Sequence, residues 1–388
     1  MNASAPFPIR VPEEVLIDLH ARLDRVRWPQ AAPPGWEHGA DLAFLRELVQ
    51  HWRHAFDWRR QERFLDERLP SRRAHVRGLD VHYAHLRGSG PRPFPLLLLH
   101  GWPGSYFEFC KVAGPLADPA RFGGDPADAF DLVIPSLPGH GFSEAPRDPL
   151  FGADDAADVL RDLAVDVLGY PRFGAQGGDR GAFVAAGLAQ RHPEHVVAIH
   201  LNLATGIPAA PEQRSPEEQR WLESQARWQQ EEGGYSALQS TRPWTLAFAL
   251  ADSPVGLAAW IVEKWRAWSD CEGDVLRCFT RDELLTNAML YWATGCIGSS
   301  MHYYRAHRLR PPAAVRPGRI EVPTGIADFP REVVRPPRSA VLRKYAVVHW
   351  SEMPRGGHFA AMEQPDALVR DVRAFFRPFR AARGGRLP

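Results

Sequence analysis

Apolar residues recur at helical spacing twice near the start of the chain. Val15, Leu16, Leu19 and Leu23 form one series after Pro12, and Leu42, Phe44, Leu45, Leu48, Val49 and Trp52 form another. They predict two helices joined by coil within residues 1–72. The period then changes to two. Residues 74–77 and 81–86 alternate around Gly78-Leu79-Asp80, the pattern of a β-hairpin.

Continuous apolar runs follow at 96–99 and 131–135, as expected of strands buried on both faces. Further strands are predicted at 173–177 and 196–201, with the helix-like text Ala182–Ala189 between them. This alternation argues for an α/β fold, a mostly parallel sheet with helices on both faces. From 207 to 310 the text becomes helical and rich in tryptophan, including Trp221, Trp228, Trp244, Trp260, Trp265, Trp268 and Trp292, and reads as an inserted cap. A proline-rich stretch, 310–317, ends it. Strand text returns at 322–327 and 345–350, and an amphipathic helix, 365–376, closes the core.

With 388 residues, 45% of them hydrophobic, the chain can bury one large core plus an inserted or flanking piece. A net charge of +1, with arginines spread along the sequence, gives no electrostatic ground for a nucleic-acid or anionic-membrane partner. No apolar run reaches the length of a bilayer span, and residues 1–30, with Glu13, Glu14 and Asp18, do not read as a signal peptide. A soluble, cytoplasmic protein is expected. Cys110, Cys271, Cys278 and Cys296 lack metal-ligand spacing and are expected to be reduced packing residues.

Candidate chemistry sits at the strand ends. Phe173-Gly174-Ala175-Gln176-Gly177-Gly178-Asp179-Arg180-Gly181 has the strand, tight turn and helix grammar of a nucleophile turn, with aspartate in the nucleophile's place. A carboxylate attacking saturated carbon makes an ester that water can later cleave, whereas a serine would leave an inert ether. A strained or activated carbon is therefore the expected target, such as an epoxide or an alkyl halide. The plainer alternative is an aspartate that only caps the following helix. His100-Gly101-Trp102-Pro103-Gly104-Ser105 forms a second sharp turn, and the backbone amides of Trp102 and Arg180 are the expected oxyanion donors. His358, in Pro354-Arg355-Gly356-Gly357-His358-Phe359, is the candidate base. Its orienting acid is expected in Asp328-Phe329-Pro330-Arg331-Glu332, with Glu332 preferred and Asp328 its rival.

Taken together, residues 100–105, 177–181 and 355–361 resemble the microsomal-type epoxide hydrolases. The resemblance continues through Trp28-Pro29, Gly35-Trp36 and Phe56-Asp57-Trp58-Arg59, and through Asp252–Ala259 in the cap. It implies an α/β-hydrolase fold divided into an N-terminal extension (1–72), a core in two parts (73–206 and 311–388) and a helical cap (207–310). Two cap tyrosines bind the epoxide oxygen in that family, and they fall at Tyr235 and Tyr304, with Tyr303 alongside. A phenol, with a pKa of about 10, can donate to the alkoxide that ring opening produces.

There are two departures from the family. The residue after the nucleophile is usually tryptophan but is Arg180 here, so either the pocket wall is cationic or the guanidinium turns away. The animal enzymes carry a membrane anchor ahead of the N-terminal region, and none is expected here. The implied reaction takes an apolar, aromatic-tolerant epoxide to a vicinal diol through an aspartyl ester. It uses water, needs no cofactor or metal, and leaves homodimerisation open. A haloalkane dehalogenase sharing the aspartate nucleophile, with Trp102 as halide donor, and a non-catalytic ligand-binding relative are the alternatives. Asp179 disfavours a serine esterase.

Overall fold

The computed structural model describes residues 4–380. Nine strands form one sheet: β1 (Ala5–Pro6), β2 (Ser71–Val76), β3 (Leu79–Leu86), β4 (Phe94–Leu99), β5 (Phe130–Pro135), β6 (Phe173–Gly177), β7 (Val196–Leu201), β8 (Ile320–Asp328) and β9 (Tyr345–Glu352). Their order is β1-β2-β3-β5-β4-β6-β7-β8-β9. The first four in this order pair antiparallel, and every pairing from β5 to β9 is parallel.

Burial explains the strand texts. All six residues of β4 and of β7 are buried, because helices cover both faces of the parallel part. Each leucine of 96–99 contributes about 1.5–3 kcal/mol when buried, so the four together rival the net stability of a domain, about 5–15 kcal/mol. A register slip of this strand is therefore prohibitive. The four cysteines are free thiols, and Cys110, Cys271 and Cys296 are buried.

The N-terminal region holds three helices, Glu13–Leu23, Leu42–His54 and Trp58–Arg68, where two were expected. The third was hidden because its inner face carries a charge: Trp58, Leu65 and Glu62 are its buried residues. Glu62 is satisfied there by the Trp58 indole N–H at 2.9 Å, the Val11 amide at 2.7 Å and the Arg59 guanidinium at 2.8 Å. Between β7 and β8 lie six cap helices, Pro216–Glu231, Gly234–Thr241, Pro243–Asp252, Pro254–Ala267, Arg281–Thr294 and Ile297–Leu309. No single helix among the described residues is long and apolar enough to cross a membrane; Pro243–Asp252 and Pro254–Ala267 qualify only as a pair, bent by 118°.

The last long helix, Pro365–Phe376, is fastened to the sheet through Asp371. His200 of β7 donates to Asp371 Oδ2 at 2.9 Å, while His349 and Ser351 of β9 donate to Oδ1 at 2.8 and 2.5 Å. Burial alone would raise this carboxyl, but the His200 hydrogen bond and charge, then Ser351 and His349, hold it well below the usual range. Its stabilisation is therefore full above the unfolded pKa of about 3.9 and is lost as pH falls through the lower folded value. Asp371→Asn is expected to cost on the order of 3 kcal/mol in urea unfolding at pH 7, with the gap to the parent narrowing below pH 4. An unchanged midpoint would contradict this clamp.

Candidate active site

Every sequence-predicted site residue of the core lies just beyond the carboxyl end of a parallel strand. Trp102 follows β4, Asp179 and Arg180 follow β6, Glu332 follows β8 and His358 follows β9. Ligands bind at this edge of open α/β sheets. The turn after β6 is forced by close packing: a Cβ on Gly181 would stand 1.9 Å from the Leu99 carbonyl oxygen, so only glycine lets the helix Asp179–Arg191 start against β4. Asp179 itself takes a left-handed φ of 44°, a strained conformation for a non-glycine residue, and this lifts its carboxylate off the sheet. Asp179 Oδ1 accepts the Trp102 amide at 2.8 Å. The Arg180 amide, in the first turn of the helix, has no intrahelical acceptor to satisfy and adds to the positive end of the helix dipole.

His358 Nε2 lies 3.6 Å from Asp179 Oδ2, and its Nδ1–H donates to Glu332 Oε1 at 2.7 Å. The Val333 amide donates to the same Glu332 oxygen at 2.7 Å and fixes the carboxylate. Asp328 is committed elsewhere, gripped by Arg335 through Nε at 2.6 Å and Nη2 at 2.9 Å. Burial on its own would lower the His358 pKa. The charge and hydrogen bond of Glu332 outweigh it, with help from Asp179 and Glu108, and the imidazole is pushed up to about 9.

The histidine loop is held from both sides. The His358 amide donates to the Trp268 carbonyl in the cap at 3.0 Å, and the Glu363 carboxylate accepts the amides of Gly357, Phe359 and cap residue Asp270 at 3.0, 2.9 and 2.7 Å. The cap also grips the Trp102 loop. Asn287 donates to the Pro103 carbonyl at 2.8 Å and Tyr291 to the Gly104 carbonyl at 2.6 Å.

Tyr235 and Tyr304 descend from the cap over the same point. Tyr235 stacks on Trp102 with centroids 5.5 Å apart and planes 6° off parallel; Tyr304 meets Trp102 edge-on at 5.8 Å and Tyr235 at 5.7 Å. Burial, then Tyr304 and Asp179, raise the Tyr235 phenol well above its usual value. Burial raises Tyr304 as well, against the pull of Arg180, so both stay protonated donors. Tyr303 points away, its hydroxyl donating to the Pro138 carbonyl at 3.1 Å.

The Arg180 side chain neither lines an open wall nor leaves the site. Its guanidinium lies 3.9 Å from the Tyr304 ring centroid and donates to His307 Nδ1 at 3.1 Å. Burial, followed by the Arg180 charge, pushes His307 down to about 3, which keeps that nitrogen an acceptor. The structure thus gathers Asp179, His358, Glu332, Tyr235, Tyr304, Trp102 and Arg180 into one site and leaves Asp328 and Tyr303 outside it. Sequence reasoning passed over Trp268, whose ring meets His358 at 5.1 Å, and Glu108, which lines a small cavity with Asp179 and His358. The tryptophan-rich cap text was the only signal for Trp268.

Sheet order, the strand–Asp–helix turn and an inserted helical cap define an α/β-hydrolase. Residues 95–272 match the family model described as alpha/beta hydrolase fold, and residues 4–109 match the model described as Epoxide hydrolase N terminus. A Stigmatella aurantiaca chain bearing an epoxide hydrolase label is 41% identical, covering 97% of this chain and 85% of its own length. Epoxide hydrolase 1 of Oryctolagus cuniculus is 37% identical over 95% of this chain and 88% of its own. The crystal structure of juvenile hormone epoxide hydrolase from Bombyx mori superposes with a TM-score of 0.87 at 28% identity, covering 99% of this chain and 96% of the other. The chain belongs to the epoxide hydrolase family and is an epoxide hydrolase.

The two carboxylates of the acid loop separate by substitution. Glu332→Gln is expected to lower turnover of styrene oxide on the order of a hundredfold, while Asp328→Asn stays within about threefold and loses only a partly exposed ion pair. Equal losses in the two variants would contradict the assignment.

Proposed function

We propose that Asp179 is the nucleophile and that an apolar epoxide is opened by its ionised carboxylate, forming a glycol monoester on the enzyme. The observation that carries this reading is the position of Asp179, with one oxygen on the Trp102 amide, the other 3.6 Å from His358 Nε2, and two protonated phenols above. Oδ1 already occupies the hydrogen bond that suits an ester carbonyl, which leaves Oδ2 to bond carbon. Tyr235 and Tyr304 donate to the epoxide oxygen as its C–O bond breaks. The guanidinium over Tyr304 favours the phenolate left when that proton is given up.

His358 acts in the second half. In the free enzyme its pKa of about 9 keeps it mostly protonated at neutral pH, paired with Asp179 and Glu332. Esterification removes the Asp179 charge, one of the influences holding that value up. The imidazole then releases its Nε2 proton to solvent, to regain one when Asp179 is ionised again, and in the interval can take a proton from water. Water adds to the ester carbonyl, the oxyanion rests on the Trp102 and Arg180 amides, and the diol leaves. Trp102, Trp268 and Trp228, packed around Tyr235, favour an apolar epoxide with an aromatic substituent. Two phenols above the carboxylate suit an oxygen leaving group, and the named relatives do not favour haloalkane dehalogenation. Free thiols fit a cytoplasmic location.

His358→Gln is expected to accumulate the ester, seen in intact-protein mass spectrometry as a gain equal to the mass of the epoxide; normal turnover with no adduct would contradict it. Tyr235→Phe combined with Tyr304→Phe is expected to slow single-turnover alkylation on the order of a thousandfold. Ring opening at the parent rate would remove the tyrosines from the mechanism.

A further inference from the structure

Behind the Asp179 carboxylate lies a cavity bounded by Trp102, Glu108, Gln176, Asn202 and His358, with about 10 Å³ of space for the centre of a water molecule. That suffices for one water, which needs two to four polar partners. Gln176 and Asn202 are engaged with each other at 2.8 Å. Gln176 Oε1 keeps no partner among the described residues, and with it His358 Nε2 and the Glu108 carboxylate are the chemistry-bearing groups beside Asp179 itself.

Glu108 lies in the short 3-10 helix Tyr106–Lys111, three residues after Ser105. That spacing reads as a capping box, the ordinary structural use of such a glutamate. Half of the box is missing: Ser105 makes no side-chain cap bond, its Oγ donating instead to Asn287 Oδ1 at 2.8 Å, and only its amide acts on the Glu108 carboxyl. Gly104 leaves room for the carboxylate, since a Cβ there would fall 1.4 Å from Glu108 Oε1. Burial pushes this carboxyl up to about 8, with His358 pulling it down, Asp179 pushing it up and the Ser105 amide contributing least. The group is therefore coupled to both reacting residues.

We propose that Glu108 is a catalytic residue of the hydrolytic half-reaction, holding one water with His358 and aiming its oxygen at Cγ of the Asp179 ester. This rests on the assignment of Asp179 as nucleophile. The water oxygen bonds Cγ, one of its protons passes to His358 Nε2, and its other O–H donates to the Glu108 carboxylate. The carbonyl electron pair moves onto the oxygen held by the Trp102 and Arg180 amides. Collapse breaks the bond from Cγ to the diol oxygen, which takes the proton from His358. The carboxyl proton left on Asp179 returns to the tyrosinate formed in ring opening. Esterification also removes the Asp179 charge that disfavours ionised Glu108, so the acceptor form gains at the stage that uses it.

The test is rapid-quench mass spectrometry of the full chain reacting with styrene oxide. Glu108→Gln is expected to form the ester within about threefold of the parent rate and to lose it on the order of a hundredfold more slowly, so that kcat and KM fall together. Ester decay within about threefold of the parent overturns the proposal, as does an equal slowing of ester formation. Should Glu108→Gln fail to fold, Glu108→Asp keeps the charge on a shorter arm: decay slowed about tenfold or more supports the role, and parent-rate decay overturns it. A His358→Gln control that carries no adduct at residue 179 overturns the nucleophile assignment and this proposal with it; an adduct there with normal decay in Glu108→Gln overturns this proposal alone.

Discussion

One hydrogen bond joins the two halves of the site: the Trp102 amide donating to Asp179 Oδ1 at 2.8 Å. It ties the loop after β4 to the turn after β6, strands that are already neighbours in the sheet. The approach of the Asp179 helix to Leu99 and the left-handed backbone at Asp179 are what bring donor and acceptor together. The bond also divides the labour of the carboxylate, one oxygen being held while the other faces His358. The cap depends on the same loop, since Asn287 and Tyr291 anchor to its carbonyls and Tyr235 stacks on its indole.

Electrostatics around His358 follow from this packing. One imidazole sits among Glu332, Asp179 and Glu108, and their charges overcome the burial that would otherwise neutralise it. Only the Glu332 contact is a direct short hydrogen bond, so it fixes the orientation of the ring, while Asp179 and Glu108 act on it through charge. Arg180 adds a cation on the cap side, against Tyr304 rather than against Asp179.

Much of this was legible in the chain because it rests on local rules. The leucines of β4 could only be a doubly covered strand, and Asp179 and His358 stand on glycine-flexed turns whose spacing leaves few readings. The cap tyrosines needed the family resemblance, since nothing in their neighbourhood distinguishes Tyr304 from Tyr303 until the Pro138 carbonyl claims the latter. Glu332 and Asp328 share one short loop, and the choice between them turns on Arg335, whose reach back to Asp328 is a tertiary fact. The third N-terminal helix was masked by a buried charge, Glu62, on a face expected to be apolar. Glu108 was masked by its capping-box spacing, and the Arg180 side chain by a partner, Tyr304, 124 residues away in the cap.

Whether solvent or the side chain of Asp179 supplies the oxygen that bonds substrate carbon is decided by a single turnover in heavy-oxygen water, with enzyme in excess over epoxide. The account predicts that the label enters the Asp179 carboxyl group and that the first diol released carries ordinary oxygen. Label appearing directly in that first diol, with none in residue 179, would contradict it.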